Sequence, residues 1–380
     1  MSIRTFINPN AGEATFKYPP PDREPLRLHS RMPGYAETPL VDAPRLADAL
    51  GVGKALVKDE SGRLGLPAFK ILGASWAVYR ALEERLGDEG FGDWENFEDL
   101  EAKLEPLRPL SLVAATDGNH GRAVARVARM LGLGARIFVP GDMAAARREA
   151  IIGEGAELVV VEGTYDEAVE RSAEAEGLLI SDSSWSGYER VPSWVIEGYS
   201  TMLWEIEDEL GRRGEEGPDL VVVQAGVGAL AAAVVRHFRG PASSSHPKLV
   251  AVEPAGADCL LESMRAGRIV SVPGPHDSIM AGLNCGTPSL VAWPTISGGI
   301  DLFIAVDDEP ARGAMRLAAR SNVVSGETGA SGLGGLLELL HADTAEEARL
   351  ALGVNGETRV LIFNTEGATN PDAYARIMAG

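Results

Sequence analysis

Apolar residues along this chain fall into short unbroken runs, each followed by a stretch with apolar positions at helical spacing. "LSLVAAT" (110–116) precedes "NHGRAVARVARMLG" (119–132), and "ARIFVP" (135–140) precedes "MAAARREAIIGEG" (143–155). "AELVVVEG" and "YDEAVERSAEAEG" repeat the alternation, which ends with "LLISD" (178–182). A long helical stretch from Ser193 to Arg213 comes next. The alternation then resumes with "DLVVVQAG", "GALAAAVVRHF", "KLVAVEP" and "DCLLESMRAG". Upstream, "PLVDAPRLADALG" reads as a helix stopped by Gly51, and "KALVKDE" as a short strand. Strands without polar alternation are buried on both faces, as parallel sheets covered by helices require. The pattern predicts an α/β protein with two sheets and a break between Asp182 and Ser193. The polar, proline-rich start, "MSIRTFINPNAGEATFKYPPPDREP", reads as an extended arm that returns to the second domain.

Length agrees with more than one core, since 380 residues exceed what a single small domain holds. A net charge of −20 argues against nucleic acid or an anionic membrane as partner, because both need clustered Lys and Arg. No apolar run approaches the roughly 18 residues of a membrane span, and no basic-then-apolar leader is present, so a cytoplasmic protein is expected. Cys259 and Cys285 make no disulfide framework, which fits a reducing compartment. Both lie in segments near the candidate site, so a bridge between them and two separate buried thiols are both open. His29, His237, His246, His276 and His341 show no metal-ligand spacing, and no metal site is expected.

Three stretches carry candidate chemistry. In "VVVQAGVGALAAAVV", Gly226, Gly228 and Ala231 fit G-x-G-x-x-A after a strand, and Glu253 closes the next strand. That is close to a dinucleotide fingerprint, in which the acidic residue holds a ribose hydroxyl. The pattern itself certifies less: small residues let backbone N–H groups at a helix N-terminus approach an anion. A phosphate site is expected, whose phosphate is left open, and a tight turn without ligand is the alternative. In "ATDGNHGRAV", a polar turn opens a helix and offers N–H groups suited to a carboxylate. There Asn119 could simply cap the helix and His120 could be a structural histidine, whereas Asp117 carries negative charge into an anion-binding turn and asks for a cation. The lysines are Lys17, Lys54, Lys58, Lys70, Lys103 and Lys248. Only Lys70, in "GLPAFKILGASW", has apolar neighbours on both sides. Such surroundings lower an amine's pKa and suit a Schiff-base nucleophile, although a lysine snorkelling from a helix start is the bland alternative.

Taken together, "KDESGRLGLPAFKILGA", "ATDGNHG", "QAGVGAL", "IMAGLNCGTPS", "SGETGASG" and "NTEGATNPDAY" resemble the diaminopropionate ammonia-lyase family, within the tryptophan-synthase-like, fold type II pyridoxal-phosphate enzymes. The resemblance runs from about Tyr35 to the C-terminus with the motifs in family order. It implies two three-layer α/β domains with mostly parallel sheets, a smaller one over 60–190 and a larger one over 1–59 plus 191–380. It further implies pyridoxal 5′-phosphate as cofactor, with Lys70 holding its aldehyde and Asn119 bonding its phenolic oxygen. Gly226, Val227, Gly228, Ala229 and Leu230 would cradle the phosphate, and Thr365 would face the pyridine nitrogen. The substrate carboxylate would bind around Thr116, Asp117, Gly118 and His120, with Tyr188 on the same wall and Asp182 as a second carboxylate. A cofactor-side contact from Glu327 is implied as well.

The implied reaction is α,β-elimination of 2,3-diaminopropionate through aminoacrylate to pyruvate and two ammonia, with Lys70 taking the α-proton of the L-isomer and Asp117 either taking that of the D-isomer from the opposite face or passing a proton to the departing amine. Asp117 separates this reading from serine or threonine dehydratases of the same fold, whose substrates carry a neutral β-hydroxyl. A homodimer is implied by the same resemblance.

Overall fold

The computed structural model describes residues 3–18, 22–116, 118–163, 165–241 and 243–380. The chain forms two compact units, one of Met1–Pro20, Glu37–Gly62 and Met202–Gly380, the other of Pro21–Ala36 and Arg63–Thr201. The strands in chain order are β1 (Arg4–Ile7), β2 (Leu40–Asp42), β3 (Lys54–Asp59), β4 (Ser111–Ala115), β5 (Gly134–Pro140), β6 (Glu157–Val161), β7 (Leu178–Leu179), β8 (Leu220–Gln224), β9 (Lys248–Pro254), β10 (Leu302–Val306) and β11 (Arg359–Asn364).

The first unit holds a seven-stranded sheet in the order β1-β10-β9-β8-β11-β3-β2. Its inner strands are parallel, and the two edges, β1 on β10 and β2 on β3, are antiparallel. The apolar runs are buried on both faces, as their lack of alternation requires. Val222, Val250, Ile304 and Ile362 pack with Ala330, Leu333 and Leu336, and the intervening Val221, Val223, Ala251 and Phe363 are equally buried. The helix Ala229–Phe238 is buried along its whole length, and its alanines permit a close approach to neighbouring elements. The expected N-terminal arm is partly regular: β1 pairs with β10, and Glu24–His29 is helical.

The second unit has a four-stranded, all-parallel sheet in the order β6-β5-β4-β7, with Val113, Ala115, Phe138 and Ala168 in one core cluster. The sequence placed the smaller domain at 60–190, whereas this unit also gathers residues 21–36 and 191–201. Local packing explains the difference. His29 is fully buried; its Nε2 donates to the Leu72 carbonyl at 3.0 Å and its Nδ1 lies 2.6 Å from Thr201 Oγ1. Gly198 packs so closely on the helix Lys70–Arg85 that a Cβ there would collide with the Leu72 carbonyl.

Other elements depart from the sequence pattern. "PLVDAPRLADALG" divides into β2 and the helix Pro44–Leu50, with Gly51 in the left-handed cap. The long helix expected over 193–213 is two, Arg190–Gly198 and Ser200–Arg213. No helix among the described residues is long and apolar enough to cross a membrane.

Candidate active site

Lys70 opens the helix Lys70–Arg85 directly after Phe69. Its Nζ donates to Asp182 Oδ2 at 2.6 Å, with the lysine side chain 19% exposed and the aspartate 8%. Burial alone would raise the Asp182 carboxyl. The charge of Lys70 and its hydrogen bond outweigh it and hold Asp182 well below the usual carboxylate range. A carboxyl so held is a charge partner near neutral pH, not a proton donor.

His120 lies on the helix Asn119–Met130, and its Nε2 donates to the Ile180 carbonyl at 2.7 Å. The proton therefore sits on Nε2, leaving Nδ1 3.9 Å from Asp182 Oδ2. Burial lowers the imidazole pKa, Asp182 opposes this and Lys70 adds to it, so the ring is neutral at pH 7. His120 thus braces the segment that carries Asp182. Tyr188 braces it from the other side: its hydroxyl donates to the Leu179 carbonyl at 2.8 Å and accepts the Ser181 N–H at 3.1 Å. Its ring stacks on Trp185, and burial pushes its phenol up.

Thr116 ends β4 fully buried and turns the chain, accepting the Gly118 N–H on Oγ1 at 2.9 Å. Gly118 has φ +151°, and Gly121 has no room for a Cβ against Thr116. Asn119 is the first residue of the helix and half-buried. Asp117 lies outside the described residues.

In the other unit, Gly226, Val227 and Gly228 link β8 to the helix Ala229–Phe238, whose first turn includes Leu230. A Cβ at Gly226 would lie 3.1 Å from Cys285 Sγ and from Leu283 Cα, and Gly228 has φ +98° with Ile296 against it. Glycine is demanded at 228 by its left-handed φ and favoured at 226 by crowding, and the helix start supplies N–H groups without intrahelical acceptors. These residues fit a phosphate. The rest of the dinucleotide pattern fails, because Glu253 is fully buried and accepts the Leu260 and Leu261 N–H groups at 2.8 Å each. It bonds the first turn of the helix Cys259–Ala266 from a fully buried position that a ribose does not reach.

Gln224, at the end of β8, was not singled out from the sequence. Its Nε2 lies 2.8 Å from Thr365 Oγ1 and within 3.2 Å of the Thr328, Gly329 and Phe363 carbonyls. One buried amide thus fixes Thr365 at the end of β11 and the start of the helix Glu327–His341. Thr365 Oγ1 accepts this N–H, so its own hydrogen remains available to donate. Glu327, 5% exposed, borders a cavity of about 530 Å³ also lined by Arg312, Arg316 and Arg376. Cys259 and Cys285 are free thiols, and no bridge joins them.

A second lysine, Lys58, is buried more deeply than Lys70. It is 1% exposed, bonded to Glu205 Oε2 at 2.6 Å and to the Thr38 carbonyl at 2.8 Å. Its strand position alternates with apolar residues, but sequence gave no sign of a partner 147 residues away.

Residues 31–360 match the family model described as pyridoxal-phosphate dependent enzyme. The diaminopropionate ammonia-lyase of Salmonella typhimurium is 38% identical over 93% of this chain and 91% of its own. The crystal structure of selenomethionine-incorporated holo diaminopropionate ammonia lyase from Escherichia coli superposes with a TM-score of 0.90. It is 32% identical, covering 99% of this chain and 96% of that one. A second structure of the Escherichia coli enzyme, in complex with an aminoacrylate-PLP azomethine reaction intermediate, gives 0.88 at 32% identity, covering 99% and 97%. The chain belongs to the pyridoxal-phosphate dependent enzymes and, within them, to the diaminopropionate ammonia-lyase family.

Proposed function

We propose that this protein catalyses the pyridoxal 5′-phosphate-dependent α,β-elimination of 2,3-diaminopropionate, yielding pyruvate and two ammonia. The observation that carries the reading is the Lys70–Asp182 pair, a lysine held against a carboxylate that stays ionised. When bound, pyridoxal phosphate supplies an aldehyde for amines and a ring that withdraws electrons from the substrate α-carbon.

Lys70 would hold that aldehyde in the resting enzyme and, once displaced by substrate, take the α-proton of the L-isomer on Nζ. Asp182 keeps a negative charge for a cation, either the Lys70 ammonium or the substrate's β-ammonium. Backbone N–H groups around Thr116, Gly118 and His120 would take the substrate carboxylate, with Tyr188 supporting that wall. Asn119 would bond the cofactor's phenolic oxygen, and Gly226, Val227, Gly228, Ala229 and Leu230 its phosphate. Thr365, its oxygen occupied by Gln224, would donate its hydrogen to an unprotonated pyridine nitrogen. Asp117 keeps its sequence-based role as base for the D-isomer or proton donor to the departing amine. In domain terms, the unit of residues 21–36 and 63–201 would present the lysine and substrate loop, and the other unit the phosphate turn. The protein would act as a cytoplasmic homodimer.

Lys70→Ala tests this directly. The visible absorption band of the holoenzyme and pyruvate release should both vanish, and their survival would refute the assignment. Pyruvate release from D- and L-diaminopropionate, serine and threonine is compared in the same assay. Faster turnover of serine or threonine would replace the lyase reading with a dehydratase.

A further inference from the structure

Tyr199 has no role in the account above, yet it lies beside its central pair. It follows the helix Arg190–Gly198 and is completely buried. The ring packs against Phe69 with centroids 4.7 Å apart. It also occupies the space left by the absent side chain of Gly73, where a Cβ would lie 2.6 Å from its Cε1. Phe69 and Gly73 flank Lys70 in sequence, so ring and lysine are held together from two sides. Among the described residues the hydroxyl has no hydrogen-bond partner of ordinary geometry. It is nonetheless close enough to Lys70 for the ammonium to act on it, and burial keeps the phenol un-ionised. A buried hydroxyl without a well-formed bond is costly, and here it sits beside an amine on a flexible four-carbon stem.

We propose that Tyr199 is a positioning residue for Lys70, a second docking point that receives its amine when that amine leaves Asp182. The inference rests on the cofactor reading of Lys70. In it, Asp182 and Tyr199 are alternative partners for one nitrogen. Displaced by an incoming amino acid, Lys70 would move onto the phenol. Among the described residues, the charged or titratable groups facing Lys70 include Asp182, His120 and Tyr199, from the segment after β7, the helix Asn119–Met130 and the end of the helix Arg190–Gly198.

The test uses full-length holoenzyme and glycine, an amine with no β-leaving group. Displacement of Lys70 by glycine, and its recapture after dilution, are followed by visible absorption in stopped flow from pH 6 to about 9. Tyr199→Phe keeps every ring contact but removes the bond that holds the displaced amine, so the displacement equilibrium, the ratio of the two rates, should move about tenfold back toward the form in which Lys70 holds the cofactor, the worth of one hydrogen bond. The acidic limb of its pH profile should also move. Gly73→Ala, which pushes the ring away, should move the equilibrium in the same direction. A displacement equilibrium and a pH profile within twofold of wild type in Tyr199→Phe would overturn the proposal. A visible band that survives in Lys70→Ala would instead overturn the cofactor reading beneath it.

Discussion

Replacing Asp182 by Asn removes the charge that faces Lys70 while keeping the side chain's shape. Breaking one partner of a buried ion pair costs about 3–5 kcal/mol. The lysine side chain here is 19% exposed, so water recovers part of that and about 2–3 kcal/mol is expected. For a unit of this size, each kcal/mol moves the melting point by roughly 2–4 °C, giving a drop of about 5–10 °C at pH 7.5. The measurement belongs on protein stripped of cofactor, where Lys70 carries an ammonium.

The pH dependence has a definite sign. The folded carboxyl is held below its unfolded value, so its stabilisation is fully present above an ordinary aspartate pKa of about 3.9 and is lost as pH falls toward the folded value. The gap between wild type and Asp182→Asn should therefore be constant from pH 7.5 to about 5 and narrow below about 4. Urea unfolding at pH 7.5, 5 and 3.5 measures it. A gap under about 1 kcal/mol at pH 7.5, or one that widens in acid, would refute the charge-pair argument.

Two further outcomes concern packing and the second buried lysine. Gly198→Ala drives a Cβ into the Leu72 carbonyl and should cost about 2–3 kcal/mol. Gly211→Ala, with nothing within 4 Å, should stabilise its helix by about 0.5–1 kcal/mol, and urea midpoints of the pair check both. Lys58→Met should cost about 3–5 kcal/mol, and adding Glu205→Leu should restore more than half of it in the same measurement.

The sequence alone determined the architecture, because apolar strands without alternation have one stable environment, between layers of helices. It also delivered the glycines of the β8 turn, since a left-handed φ and the crowding around Gly226 and Gly228 admit little else. The motif order supplied Lys70, Asn119 and Thr365. Tertiary structure decided which charges meet. Asp182 stands 112 residues from the lysine it binds, and Glu205 stands 147 residues from Lys58. Glu253 turned from an apparent ribose ligand into an acceptor for the first turn of the next helix because that helix folds back onto it. Gln224 stands inside a quoted motif that assigns it no role, and Tyr199 lies in none. Hydrogen bonds and ion pairs form between groups brought together by the packing of whole elements, and a local pattern of residues carries no record of that meeting.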